Sequence, residues 1–468
     1  MLFKSQAEKD FQITTPDCAE MDAVVSTCAN IYAGRPPWVN EKDGVKTINF
    51  AKSLCSETAR LTTLAIGVTI DGSARAEWLQ QQIDKSYFQI RHWVEYGCAY
   101  GTVYIKPNGQ TLDVFTPGDV LLVDYDNLGV NGVIFKDTYT EGNKHYTRLE
   151  YHRFVSADNE GYEPYIITNK AYVSRKEDSI GNPIPLEETR WAGLMEETPP
   201  ILKGDGTRLD GPMFGMFRTP QANNVDMSVP TGLPIFRETI EELKDLDTAY
   251  SRNAGEIFDS EKIILADDTL MMPSGTNLKN TTEATREQTR KEMKLPHYVK
   301  NVFGNGTDYF YQEINPQLNT DVRLAGINAL LSQIGYKAGY SNGYFVFNEK
   351  SGMVTATQVE ADDRRTIQLI KDVRDKLEDC LNGVIYALNV FADLYGLAPV
   401  GAYETTYDFG DITYNREEDR ARWWQYVTQG KVPAWMYFVK FEGMSEEEAK
   451  AMVEEAQPKE EPGLFTEE

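Results

Sequence analysis

SNGYFVFNEKSGMVTATQVE, Ser341 to Glu360, is the stretch on which the fold turns. A polar glycine turn opens into the apolar run Tyr344, Phe345, Val346 and Phe347, and a second turn follows at Ser351 and Gly352. Thr355 with Gln358, and Thr357 with Glu360, then make two overlapping capping boxes, the arrangement that satisfies the free N–H groups of a helix start. Helical pattern continues from there to Tyr395 and Gly396 with no interior proline and one interior glycine, Gly383. At 1.5 Å per residue this is a rod of roughly 60 Å. Ile370, Leu377, Val384 and Phe391 recur every seven residues, with Val373, Cys380, Ala387 and Leu394 beside them, while Asp372, Arg374, Asp375, Lys376 and Glu378 line the other faces. An aromatic loop at the entrance of such a rod is unfavourable in water, since exposed apolar surface forfeits about 25 cal/mol per Å2. Either the aromatics fill a core between the two flanking helices, or neighbouring copies of the chain cover them.

Upstream of the loop, the spacing predicts a helix over Asp321 to Ala338, with Leu324, Ile327, Leu331 and Ile334 on one face. Another covers Ile235 to Phe258, where Phe236, Ile240, Leu243, Tyr250 and Ile257 form a stripe. These stripes exceed what neighbouring segments of one chain can cover, so both helices are expected to pack against other subunits. Between them lie a strand, KIILA, and a loop-rich insertion from 267 to 310. The first third reads as three helices, about Met21 to Ile31, Asn49 to Leu64 and Arg75 to Gly97, followed from about 98 to 185 by short runs rich in Val, Ile, Tyr and Thr. These predict a mostly antiparallel β region, and hence an α+β chain. Three short helices follow Asp408, separated by Gly430, Pro433 and Gly443, with a capping box at Ser445 and Glu448. The end, QPKEEPGLFTEE, reads as an acidic disordered tail.

Composition excludes several functions. With 468 residues, 41% hydrophobic and 25% charged, the chain has the balance of a folded protein of two or three domains. No apolar run is long enough for a bilayer, and MLFKSQAEKDF lacks the core of a signal peptide, so the expectation is a chain starting near Met1 in a cytoplasm, without a membrane. Five scattered cysteines, never spaced as CxxC, suggest buried thiols rather than disulfides or zinc. A net charge of −25 argues against tight grip on phosphates. There is no phosphate loop ending in Lys-Ser/Thr, no GxGxxG after a strand, no HExxH and no GxSxG. The histidines, His92, His145, His152 and His297, lie far apart in sequence. No catalytic residue, metal or cofactor is expected. The rival enzyme reading is a metal-dependent nucleic-acid-processing enzyme using carboxylates such as Asp408 and Asp411.

The order of the pieces, taken together, resembles the portal proteins of tailed bacteriophages, in particular those of phages of Gram-positive bacteria. The likeness runs through NFAKSLCSETARL, EYGCAYGTVYIKP, FTPGDVLLVDYDNLGVNGVIF, YTRLEYHRF and PYIITNKAYV. It continues in MFGMFRTPQANNVDMSVPTGLPIFRETIEELKDLDTAYSRNAGEIF, GYSNGYFVFNEKSGMVTATQVEADDRRT and GDITYNREEDRARWWQYVTQGKVPAWMYFVKFEGMSEEEAKAMVEE. Many relatives begin with a basic or Trp-rich amphipathic segment, whereas MLFKSQAEKDFQITTPD is short and mixed.

The resemblance implies a ring, usually of twelve subunits, at one capsid vertex of the virion, assembled in the host bacterial cytoplasm. Double-stranded DNA passes through it during packaging and ejection. Its implied partners are the terminase large subunit, a head-completion or adaptor protein, and the major capsid and scaffolding proteins. The implied domains are a wing at 1–230, a stem helix at 231–260, an α/β clip at 261–316, a second stem helix at 317–339, a tunnel loop at 340–354, a long wing helix at 355–400, a helical crown at 401–457 and the tail at 458–468. In that frame Asn342, Gly343, Tyr344, Phe345, Val346, Phe347, Asn348, Glu349 and Lys350 face the channel, Gly339 and Gly352 are the loop's hinges, and ATP hydrolysis belongs to a separate motor. A different ring-forming virion connector is the remaining alternative, though connectors are generally too short for these parts.

Overall fold

A computed structural model describes residues 3–39, 44–109, 111–126, 129–155, 164–259, 263–267, 299–302, 311–314, 320–346, 356–410, 416–442 and 444–455. The chain divides into two units, Met1–Asp408 and Phe409–Glu468.

In the first unit the helices are α1 (Lys4–Phe11), α2 (Ala19–Tyr32), α3 (Phe50–Thr62), α4 (Ala74–Tyr100), α5 (Ile240–Asp259), α6 (Thr320–Lys337) and α7 (Ala356–Tyr395). The strands are β1 (Gly67–Asp71), β2 (Thr102–Asn108), β3 (Thr111–Phe115), β4 (Val120–Tyr125), β5 (Val130–Glu141), β6 (Lys144–Phe154), β7 (Tyr165–Ser174), β8 (Asn182–Ile184), β9 (Gly215–Arg218), β10 (Ile263–Asp267), β11 (Val299–Val302), β12 (Tyr311–Ile314) and β13 (Glu404–Asp408). The result is a mixed helix-and-sheet fold, and the β region is antiparallel as its short Val-, Ile-, Tyr- and Thr-rich runs suggested: β4-β5-β6-β7-β8 form one sheet and β3-β2-β9 another. Within the insertion, β10 pairs parallel with β11 and antiparallel with β12. The remainder of that insertion lies outside the described residues.

Period-two alternation gives the five-stranded sheet two different faces. Val133 and Phe135 of β5 point to a core shared with Tyr104, Phe115 and Phe214, while Ile134 points the other way, to a core with Leu149, Tyr151 and Tyr172. That second face is closed by α1 and the residue before it: Phe3 and Ala7 are buried on it, and the Asp10 carboxylate accepts the Tyr172 hydroxyl at 2.5 Å. The short mixed N-terminal segment is therefore a docked helix, which its composition did not announce.

The core between the sheets carries charge. Glu150 accepts from Lys106 Nζ at 2.7 Å, Arg148 Nη2 at 2.8 Å and His152 Nε2 at 2.8 Å, and all four side chains are buried. The Met213 N–H donates to the Tyr165 oxygen at 3.1 Å, and the Tyr165 hydroxyl lies 2.8 Å from His152 Nδ1. With that hydroxyl donating to Nδ1, the imidazole carries its proton on Nε2 and gives it to Glu150, a chain that needs no charge on the ring.

Helix α7 is a 40-residue rod enclosed by α3, α4, β2 and β9. Ile370, Val373, Leu377, Cys380, Val384 and Ala387 are buried, as the seven-residue spacing requires. Gly383 has a physical reason to interrupt it: a Cβ there would lie 3.0 Å from the Cα of Gly215, and one on Gly215 would lie 2.4 Å from the Cys380 carbonyl. Two glycines thus let strand and helix backbones touch. Two expectations fail on this rod: Leu394, set on the apolar line, is 44% exposed, and Arg374 is not on a solvated face. Arg374, read as part of the solvated face, is turned inward, its Nε donating to the Thr62 carbonyl at 3.1 Å and its Nη2 to Leu61 at 3.3 Å, so that it serves the free carbonyls ending α3.

The second unit holds α8 (Arg416–Thr428), α9 (Ala434–Glu442) and α10 (Glu446–Glu455). Ser445 and Glu448 make reciprocal capping bonds, the Ser445 N–H donating to Oε2 at 3.2 Å and the Glu448 N–H to the Ser445 hydroxyl at 3.3 Å. Of the described cysteines, Cys28, Cys55, Cys98 and Cys380 are buried, Cys18 is half-buried, and all are free thiols.

Candidate functional site

The described half of the aromatic loop, residues 340–346, is seated on α3. Tyr340 is fully buried, and its hydroxyl lies 2.6 Å from Thr58 Oγ1. Because the Thr58 hydroxyl already donates to the Leu54 carbonyl at 2.9 Å, the tyrosine is the donor. Burial pushes the Tyr340 phenol up, so it stays protonated. Tyr344 donates to Glu57 Oε1 at 2.6 Å, and the same carboxylate takes two bonds from Arg60, at 2.8 and 2.6 Å. Those Arg60 bonds come first among the causes that hold Glu57 below the usual carboxylate range. Phe345 stands edge-on to Phe50, centroids 5.2 Å apart, and to Tyr340 at 4.8 Å. It fits against α6 because Gly335 has no Cβ, which would lie 3.0 Å from the ring.

The loop's root is tied to α7 as well. The Ser341 N–H donates to Thr366 Oγ1 at 2.9 Å and the Thr366 N–H to Ser341 Oγ at 3.2 Å. Asn342 is exposed but accepts from the Ser332 hydroxyl, which in turn receives the Gly343 N–H at 3.3 Å. Gly339 at φ +100° and Gly343 at φ +81° occupy backbone conformations that favour glycine. Tyr344, Phe345 and Val346 are half-buried. Phe347, Asn348, Glu349, Lys350, Gly352 and Thr355 lie outside the described residues, as do the side chains of Thr357, Gln358 and Glu360.

The helices leading to the loop form a pair. Lys337 near the end of α6 bonds the Glu238 carbonyl at 3.2 Å and the Glu242 carboxylate, which also accepts from Gln333 at 3.1 Å. Near the loop the two apolar stripes cover one another within the chain: Phe236, Leu243, Ile327, Leu331 and Ile334 are buried, and Ile240 is half-buried. Farther away, Tyr250, Val322 and Leu324 are exposed. The Ile257 side chain lies outside the described residues.

Sequence reasoning missed α3 as the seat of the loop. Phe50, Glu57 and Thr58 look like ordinary members of an amphipathic helix, and nothing in their spacing links them to residues almost 300 positions away. Truncating Phe345 to alanine is expected to cost about 1–3 kcal/mol, below a fully buried phenylalanine because the ring is half-exposed. Thermal melting of the variant, with Tyr344→Phe as the milder change losing one charge-assisted bond, checks this.

Among the described residues no group of three or more His, Cys, Asp or Glu side chains is placed to hold a metal ion, and no helix is long and apolar enough to cross a membrane. Asp408 ends β13, opposite Gly67, and Asp411 lies outside the described residues.

The model of the family described as "Phage portal protein, SPP1 Gp6-like" matches residues 65–461. No curated protein matches the chain. Among solved structures, a chain in the "Virion of native gene transfer agent (GTA) particle" is similar at 11% identity and a TM-score of 0.39, covering 95% of this chain and 99% of that one.

Proposed function

We propose, from the premise that this chain belongs to the SPP1 Gp6-like family of phage portal proteins, that it forms a ring, of twelve subunits by the family's habit, lining a channel for double-stranded DNA at one capsid vertex. The observation that carries the reading is the family match, which spans residues 65–461. A portal protein is a structural protein of the virion rather than an enzyme, and it works as a homo-oligomer with capsid components. The finer assignments are part of the proposal. Residues 1–230 form the wing, α5 and α6 the stem, 261–316 the clip that receives the terminase large subunit and later an adaptor, α7 the long wing helix, and 401–457 the crown. The subgroup is that of phages of Gram-positive bacteria, with assembly in the host cytoplasm alongside scaffolding protein.

The loop takes a divided role in this reading. Tyr340, Tyr344 and Phe345 moor its base on α3, and Asn348, Glu349 and Lys350 meet the DNA. The exposed far ends of the stem stripes, Tyr250 and Leu324, are where neighbouring subunits meet. Electron microscopy and native mass spectrometry of the purified full chain should show closed rings. Monomer at every salt concentration would count against the reading, and so would a nuclease or ATPase activity that copurifies with the chain and is lost when one of its carboxylates is changed.

A further inference from the structure

Asn342 and Gly343 form the turn that opens the aromatic loop. Asparagine followed by glycine is chemically labile. The glycine nitrogen attacks the side-chain amide carbon, the Cγ–Nδ2 bond breaks and ammonia leaves, and water then opens the succinimide to aspartate or isoaspartate. Glycine favours this reaction because no side chain shields its nitrogen. Here the turn itself demands glycine, since Gly343 lies at φ +81°, where other residues are strained. The sequence has five such pairs, beginning at Asn108, Asn131, Asn305, Asn342 and Asn382. Asn131 lies within β5 and Asn382 within α7, where regular backbone withholds the bent geometry of attack, and Asn305 lies outside the described residues. The two pairs described in turns differ at the nucleophile. At Asn108 the amide is tied through Nδ2 to Asp113, but the N–H of exposed Gly109 meets no acceptor among the described residues. At Asn342 one hydroxyl holds both reacting groups: Ser332 Oγ donates to the Asn342 Oδ1 and accepts the Gly343 N–H at 3.3 Å.

We propose that Asn342 is a latent deamidation site, kept closed by Ser332 and opened when the loop leaves its seat. Attack requires the Gly343 nitrogen to give up its proton to base and the Asn342 amide carbon to come over that nitrogen. The Ser332 hydroxyl opposes both, because it engages the N–H and fixes the amide oxygen. Ser332 belongs to α6, so the restraint lasts only while the turn stays packed on that helix. The product matters to the same seat. Isoaspartate lengthens the backbone by one methylene between Ser341, bonded to Thr366, and Tyr344, bonded to Glu57, and both anchors were set for the shorter path. Deamidation also adds one negative charge per chain at an exposed position of the loop. None of this depends on the chain forming a ring.

The test is peptide mass mapping of the full chain after incubation in mildly alkaline buffer, natively and in urea. In the native wild type, Asn342 should deamidate about tenfold more slowly than in urea, the protection that two ordinary hydrogen bonds give, and Asn108 should lose its amide first. Ser332→Ala should raise the native rate at Asn342 by about the same factor and leave Asn108 unchanged. Ser332→Thr and Ser332→Val isolate the hydroxyl, since the two side chains share a shape: threonine should stay slow and valine should react fast. The same map reports the fold of each variant, because Asn131 and Asn382 react only when β5 or α7 opens. Equal native and urea rates at Asn342 in the wild type overturn the proposal, as do equal native rates in the threonine and valine variants. A rate that falls in Ser332→Ala overturns it too, and makes the hydroxyl a promoter of the attack rather than its restraint.

Discussion

Replacing Arg75 with alanine is expected to destabilise the first unit by about 3–5 kcal/mol, the range for removing one partner of a buried ion pair. The guanidinium is buried at the start of α4, where every acceptor around it belongs to the far end of α7 and the turn beyond. Nη2 meets the Asp393 carboxylate and the Ala398 carbonyl at 2.6 and 2.8 Å, Nη1 the Asn389 carbonyl at 2.8 Å, and Nε the Pro399 carbonyl at 2.9 Å. Alanine takes the cationic donor away from a buried carboxylate and several carbonyls. Among the described residues, Asp393 keeps the Gly204 N–H, at 2.8 Å. Lysine does not rescue the site, because one ammonium cannot reach four acceptors spread in a plane. Urea unfolding followed by tryptophan fluorescence gives the cost, and an Arg75→Ala protein with wild-type stability would show that the clamp is dispensable. Hydrogen exchange adds the location: protection should fall first at the C-terminal turns of α7 and in β13, which follows the clamped turn.

Arg75 also shows what the sequence withholds. In SARAEW it is one arginine in a polar stretch, and its value comes from a chain segment more than 300 positions away. The elements themselves were legible. Short runs rich in Val, Ile, Tyr and Thr between turn residues marked β2 to β7, and the seven-residue spacing marked the buried stripe of α7, because local composition and periodicity report what an element is and which side of it is dry. Partners are a different kind of information. The pairing of β1 with β13 joins Gly67–Asp71 to Glu404–Asp408, and neither run has the length or apolar alternation that marks a strand alone. Arg374 was misread for the same reason, since its acceptors are backbone carbonyls at the end of α3, which any sequence supplies. At the loop, the glycines and the aromatic run were visible, and the choice between a core and a neighbour-covered collar stayed open. What decides for mooring at Tyr344 is one carboxylate, Glu57, among 72 acidic residues in the chain.

The charged cluster between the sheets should make the protein sensitive to acid in two steps, and Glu150→Gln should produce the larger loss at neutral pH. Burial alone would raise the Glu150 carboxyl, but Lys106, Arg148 and the His152 N–H hold it well below 4.5, so in the folded chain it stays ionised. His152 is affected in the opposite sense by the same burial, which first of all keeps its imidazole below 6.5 and neutral. Around the ring stand Glu150, Lys106, Arg148 and the Tyr165 hydroxyl, and Asp137 lies behind Arg148 at 3.4 Å. As pH falls through 6.5, the unfolded histidine takes up a proton that the folded one refuses, and stability drops. As pH falls through 4.5, the unfolded glutamate does likewise, and stability drops again. His152→Gln should therefore flatten the upper step relative to wild type and leave the lower one. Glu150→Gln should remove the lower step and, by leaving Lys106 and Arg148 without their shared carboxylate, cost about 3–5 kcal/mol at pH 7. Urea denaturation from pH 4 to 8 on the three proteins separates these effects, and wild-type stability in Glu150→Gln at pH 7 would mean that the two cations find water or another anion in the folded state.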